Sequence, residues 1–235
     1  MPKTYIFDAV HTILKPVPDV MSCYFLAGKR HGSSLTKDDV KSRFREGRRV
    51  HFGTSNSAAE TDRGSLMSSD EIEFQLWKNL VTHVFADVPE ITPLFQELWD
   101  HFASPANWEL YDDVASCWSS LAAGNDRIVI ASNFDSRLYE IVKQHPALAV
   151  VDSVFCSADV GYRKPDPMFY ETVSKSLSLT DNEEVIMVGD DFENDYAAPQ
   201  MFGWKAFHLD RRHGVAPKEG MISSLSQLLL TGDVA

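Results

Sequence analysis

The sequence predicts an α/β protein: a parallel sheet covered by helices, with a helical insertion placed early in the chain. Three observations carry this. From residue 107 onward, short β-rich runs alternate with segments of helical spacing, the pattern of parallel strands joined by helical crossovers. One further strand-like run, residues 4–7, stands apart from that series. Between them, residues 15–106 have helical patterning around Thr36 to Arg49 and Ser69 to Phe85, with breaks near Gly53 to Gly64, at Pro89 and at Pro105. The expected division is therefore a core of residues 1–14 and 107–235 with a helical cap of residues 15–106.

Taken in order, Arg127 to Ser132, Ser153 to Cys156, Glu184 to Val188 and Trp204 to Leu209 read as strands. The unbroken run Val185-Ile186-Met187-Val188 suits a central strand covered on both faces. Asp113 to Ala123 reads as a helix because Val114, Trp118 and Leu121 fall at helical spacing, with Gly124 as a stop. Ser136 to Gln144 and Met168 to Leu177 follow the same spacing. Gly53 to Ser69 is polar and is expected to be a mobile loop.

With 235 residues, 44% of them apolar and 11% aromatic, the chain can bury a proper core. A net charge of -12 argues against nucleic acid or an anionic membrane as partner, since both would be repelled over most of the surface. Cys23, Cys117 and Cys156 are an odd number and contain no Cys-x-x-Cys pair, so reduced thiols in a cytoplasmic protein are the simplest reading. Asp8 follows only a short apolar stretch, and no later run approaches membrane-spanning length. Oligomeric state is not legible.

Four segments carry candidate chemistry: Tyr5 to Thr12, Ile128 to Asn133, Arg163-Lys164-Pro165-Asp166-Pro167, and Val185 to Asp195. In open parallel sheets ligands bind beyond the carboxyl ends of strands, where Asp8, Ser132 and Asp190 all fall. A carboxylate there can act as nucleophile or metal ligand, a serine hydroxyl can bond an anion, and Lys164 can neutralise charge on a phosphoryl group. Asp190, Asp191 and Asp195 are hard oxygen donors suited to Mg²⁺. Each segment alone has a plainer explanation, such as a helix cap for Asp8, a turn for Ser132 and Asn133, or a solvated lysine for Lys164. Four such segments in order, each at a strand end, argue against chance.

In these segments the chain resembles the haloacid dehalogenase (HAD) hydrolase superfamily. Asp8 with Thr12, Ser132, Lys164, and Gly189-Asp190 with Asn194-Asp195 match its four motifs in turn. The resemblance implies a Rossmann-like core with a cap inserted after the first motif, and a small-molecule substrate, phosphorylated if the phosphatase branch applies. It further implies Asp8 as nucleophile; Mg²⁺ held by Asp8, the Val10 carbonyl and Asp190; and phosphoryl oxygens held by Ser132, the Asn133 main-chain N–H and Lys164. Asp195 is implied to orient Lys164 or a metal-bound water.

One position departs from the pattern: Val10 stands where family phosphatases carry an acid/base aspartate. General acid–base catalysis contributes about 10²- to 10⁴-fold, so alkyl phosphates are expected to turn over slowly and phospho-Asp8 to accumulate. His11 is the neighbouring candidate by pKa, but in an extended chain adjacent side chains face opposite ways, so it is expected to point away from the site that Val10 faces. Lys41, Arg43, Arg45, Arg48, Arg49 and His51 are read as a solvated helix face, with anion binding as the alternative; Phe74, Trp77 and Phe85 are read as cap core. Three functions stay open: a Mg²⁺-dependent phosphatase weakened at Val10, a metal-independent 2-haloacid dehalogenase, for which Val10 is no handicap, and a regulatory protein that binds phosphate and Mg²⁺ without turnover.

Overall fold

The computed structural model describes residues 3–53, 66–180, 182–211 and 219–231. Residues 54–65, the body of the expected polar loop, lie outside the described residues. The chain opens with β1 (Thr4–Phe7) and β2 (Leu14–Pro16), followed by α1 (Val20–Arg30), α2 (Lys37–Phe52), α3 (Asp70–Val84) and α4 (Ile91–Ala103). It continues through β3 (Trp108–Leu110), α5 (Val114–Ala123), β4 (Arg127–Ser132), α6 (Arg137–Lys143), β5 (Ser153–Cys156), α7 (Ser157–Val160) and α8 (Pro167–Ser176). After these come β6 (Val185–Gly189), a π-helical turn over Phe192–Ala197, α9 (Ala198–Phe202), β7 (Lys205–Leu209), β8 (Met221–Ile222) and α10 (Leu228–Thr231).

Six strands form one all-parallel sheet in the order β5-β4-β1-β6-β7-β8, a Rossmann-like arrangement. Successive strand residues face opposite sides, and here both sides are buried. Phe7, Ile130 and Val188 join one apolar cluster with Trp118 and Leu121 of α5, while Ile6, Val129 and Met187 join another with Phe169 and Val173 of α8. Burial on both faces explains why these strands read as continuous apolar runs.

The first strand lies between β4 and β6, with Phe7 level with Ile130 on one side and Val188 on the other. That register brings the ends of three strands, and the residues after them, to one edge.

Helices α1–α4 enclose a third apolar cluster, including Tyr24, Val40, Leu80, Phe85, Leu94 and Leu98. Their starts are encoded locally. Thr36 and Asp39 form a reciprocal capping box before α2, and Ser69 caps α3, each satisfying donors that a helix leaves open. The chain enters and leaves this layer through a small antiparallel ribbon pairing Leu14 with Leu110 and Pro16 with Trp108. Sequence patterning missed the ribbon because each strand is three residues long and one contains proline.

Close approach of α1 to the loop after α3 depends on Gly28, where an added Cβ would meet the Phe85 ring at 2.4 Å. Replacing glycine by alanine inside a helix gains about 1 kcal/mol of propensity, but overpacking a buried ring costs about 1–3 kcal/mol. Gly28→Ala is therefore expected to lower the urea midpoint; a midpoint at or above wild type would mean that the ring yields freely.

Candidate active site

Asp8 follows β1 directly, and its main-chain N–H donates to Val188 O at 2.9 Å. Its Oδ1 accepts from Ser132 Oγ at 2.9 Å and from Lys164 Nζ at 2.8 Å. Lys164 also donates to Asp195 Oδ1 at 2.6 Å and to Ala131 O at 3.0 Å. An ammonium group has three donors, and here each has an acceptor.

Lys164 itself is held by Asn133, whose amide nitrogen donates to Lys164 O at 2.9 Å and whose amide oxygen accepts from Lys164 N at 2.7 Å. The Asn133 side chain is thus a backbone clamp. Motif resemblance had pointed only to its main-chain N–H.

The π-helical turn places the last motif. Asp191 caps it by accepting from Glu193 N and Asn194 N, and Asp195 Oδ2 accepts from Asp191 N at 3.1 Å. Single π turns are often retained at functional sites. Gly189 is required by close packing: a Cβ there would come within 2.2 Å of Asp195 Oδ2. Thr12 joins the first motif to the last by accepting from Asp190 N at 3.1 Å. Arg211 then steadies Thr12, donating to its carbonyl at 2.7 Å while pairing with Asp113 at 3.0 Å. Neither Arg211 nor Asp113 was signalled by the sequence, because the contact joins loops far apart in the chain.

Asp8, Asp190 and Asp195 each offer a carboxylate oxygen within 4.8 Å of the others. Burial, and then Asp8, Asp195 and Asp191, push Asp190 up to about 8. Burial likewise raises Asp195, although Lys164 pulls the other way. Lys164 keeps its proton above the usual range: burial disfavours its charge, but Asp195 and Asp8 outweigh that cost. More carboxyl groups therefore gather here than one ammonium can keep ionised. Hard carboxylate oxygens at this separation fit a divalent cation.

Val10 and His11 both line the cavity over these groups. The outward orientation expected for His11 presupposed an extended chain, and the chain is not extended there: His11 has φ 63° and belongs to the turn after β1. The cavity, about 510 Å³, runs from Asp8, Ser132, Lys164 and Asp190 to side chains of α1–α4. Of the basic cluster, Arg48 lines it, Arg43 bonds Val84 O at 3.3 Å, and Lys41, Arg45 and Arg49 are exposed. Trp77, expected in the helical core alone, also lines the cavity.

The sequence profile of the haloacid dehalogenase-like hydrolases matches residues 2–203. The chain belongs to this family. A murine relative, haloacid dehalogenase-like hydrolase domain-containing protein 3, is 27% identical over 242 residues, covering 95% of this chain and 90% of that protein. In fold, this HAD hydrolase is similar to the putative HAD-hydrolase YfnB from Bacillus subtilis bound to magnesium, with TM-score 0.74, 18% identity and 99% coverage of both chains. It is also similar to L-2-haloacid dehalogenase from Xanthobacter autotrophicus with chloropropionic acid covalently bound, with TM-score 0.72, 16% identity and full coverage of both. No described helix of the HAD hydrolase is long and apolar enough to cross a membrane, and all three cysteines are buried and free.

A buried acid whose folded pKa lies above its unfolded value holds its proton more tightly in the folded chain, so ionising it as pH rises costs stability. In chelator at about pH 9, above the raised value of Asp190, Asp190→Asn is expected to melt higher than wild type, and a melting-temperature rise on adding Mg²⁺ is expected in wild type and not in the variant. A Mg²⁺-dependent rise that persists unchanged in the variant would remove Asp190 from the cation site.

Proposed function

We propose that this HAD hydrolase is a Mg²⁺-dependent phosphatase-type enzyme that forms an aspartyl phosphate on Asp8, with α1–α4 as a cap over the site. The observation that carries the reading is the convergence of Lys164, Ser132 and Asp195 on Asp8, beside carboxylates spaced for a cation. A haloacid carbon has no phosphoryl oxygens to neutralise and needs no such acidic cluster.

In the proposed reaction the Asp8 carboxylate attacks phosphorus. Ser132, the Asn133 main-chain N–H and Lys164 hold the phosphoryl oxygens and offset the charge that develops on them. Asp195 positions Lys164, while the Asn133 side chain fixes the lysine backbone. Asp8, Asp190 and the Val10 carbonyl would hold Mg²⁺, with Asp195 bordering that site; the ion supplies Lewis-acid neutralisation of the phosphoryl group. Val10 has no proton to donate to the departing oxygen and no basic atom in its side chain to activate water. The loss of that function raises the barrier by about 3–5 kcal/mol.

Halide displacement is the second reading. Val10 favours it, since a departing halide needs no proton, and several structural neighbours are dehalogenases. Phosphate release from an aryl phosphate, measured with Mg²⁺ and with chelator beside halide release from 2-chloropropionate, separates the two. Metal-dependent phosphate release alone is expected; halide release despite chelator selects dehalogenation, and Mg²⁺ binding with neither activity selects a regulatory role.

Two further outcomes are expected. Acid quench after exposure to acetyl phosphate and Mg²⁺ should trap phospho-Asp8, detectable by mass spectrometry, and its absence would count against stalled hydrolysis. Val10→Asp should raise turnover of alkyl phosphates by up to about 10²- to 10⁴-fold; an unchanged rate would show that proton transfer is not the limiting defect.

A further inference from the structure

Resting on the phosphatase reading, we infer that the substrate is a phosphate ester of an apolar aromatic alcohol of the phenol class, its ring held among the aromatic side chains between the α1–α4 layer and the sheet. The cavity that starts at Asp8 and Lys164 continues along a connected series of rings. Phe134, next to Asn133, lies 5.9 Å from Trp108; Trp108 lies 6.2 Å from Phe102, Phe102 lies 6.3 Å from Tyr24, and Tyr24 lies 5.0 Å from Phe44. All five line the cavity. Offset and edge-on ring contacts at such separations are favourable, so a further aryl group meets compatible surface on several sides.

Of the three arginines that line the cavity, two are engaged with acidic groups of the protein, and the third, Arg48, lies over the Phe52 ring at 5.2 Å. Arg137 donates to both Asp135 oxygens, at 2.7 and 2.6 Å, and its guanidinium lies 3.4 Å from the Trp99 ring centroid. Arg163 is buried and pairs with buried Glu73 at 3.5 Å. A sugar or polyol phosphate would bury its hydroxyls against rings and pre-paired charges, and unpaired buried hydroxyls are unfavourable. An aryl group needs no such partners.

Val10 points to the same leaving group independently. A phenol ionises near pH 10, as tyrosine does, whereas an aliphatic alcohol is a far weaker acid, close to water itself. When an Asp8 oxygen bonds to phosphorus, the bond to the aryl oxygen breaks, its electron pair leaves on phenolate, and phenolate takes a proton from solvent. Water then adds its oxygen to phosphorus and the bond to Asp8 breaks. The carboxylate is restored, one water proton stays on inorganic phosphate and the other passes to solvent. Only the second step needs a base, so a phenolic leaving group removes the Val10 defect from the first step, the one that kcat/KM reports, and leaves it in the second.

The test uses wild-type protein with Mg²⁺ and non-hydrolysable ligands, methylphosphonate against phenylphosphonate and naphthylphosphonate, followed by kcat/KM for phenyl, benzyl and glycerol phosphates. Aryl phosphonates should bind at least about tenfold more tightly than methylphosphonate, which a single well-packed ring supplies. Phenyl phosphate should exceed benzyl phosphate, which carries the same ring on an alkoxide, by about 10²-fold or more. Phe44→Ala should narrow the aryl-to-methyl binding ratio. Equal binding of methyl and aryl phosphonates, with inorganic phosphate and Mg²⁺ still bound, overturns the aryl inference and leaves the phosphatase reading standing. If no phosphonate and no phosphate ester engages the Mg²⁺-supplied protein, the phosphatase reading fails first and takes this inference with it.

Discussion

The rest of the site depends on one buried cation. Lys164 is 3% exposed and Asp195 is fully buried, so neither charge is solvated by water. Taking such groups out of water is costly unless geometry and hydrogen bonding compensate. Compensation comes from three acceptors, Asp8, Asp195 and the Ala131 carbonyl, arranged around one ammonium. Losing any one of them would leave charge or a donor buried without its partner. The same arrangement points Asp8 and Lys164 at one volume, which is why a structural ion-pair network can also serve chemistry.

Sheet topology places these groups. With β1 between β4 and β6, residues after three strands meet at one edge, although Ser132 and Lys164 lie 124 and 156 positions from Asp8. Local devices then set their positions to within hydrogen-bond distance: the Asn133 amide on the Lys164 backbone, the absent Cβ at Gly189, and the π turn that presents Asp195. Contacts across to the helical layer complete the enclosure. Asp70 accepts from Ser136 N at 2.9 Å, Glu73 pairs with Arg163, and Arg137 reaches Trp99 O at 3.1 Å. Each joins the wall of the cavity to the loops that carry the motifs, so the shape of the chamber and the position of the motif loops are mechanically linked.

Much of this was legible in the chain. Strand Arg127–Ser132 falls where periodicity put it, because a doubly buried strand requires an unbroken apolar run; the half-buried edge strand Ser153–Cys156 also falls where it was expected. The helical patterning around Thr36 to Arg49 and Ser69 to Phe85 falls on α2 and α3, whose first turns Thr36 and Ser69 cap. Asp8, Ser132 and Asp190 were singled out by their places at strand ends, and Lys164 and Asp195 by resemblance to the family motifs; the structure brings all five together. The alternation rule applied to His11 does not operate there, since it holds for extended chain and not through a turn with positive φ.

By itself the sequence determined the α/β class, the helical character of the segment after the first motif, and the identity of the charged groups at the strand ends. Those properties depend on composition and on spacing within a few residues. Tertiary structure alone decided that Asn133 clamps Lys164, that Arg211 and Asp113 brace Thr12, and that rings from α1, α2, α4, β3 and the loop after β4 line one cavity with Asp8. These are contacts between residues tens to hundreds of positions apart. Side-chain hydrogen bonding and close packing at such separations leave no periodic mark in the chain; they exist only once the sheet and the helical layer have met.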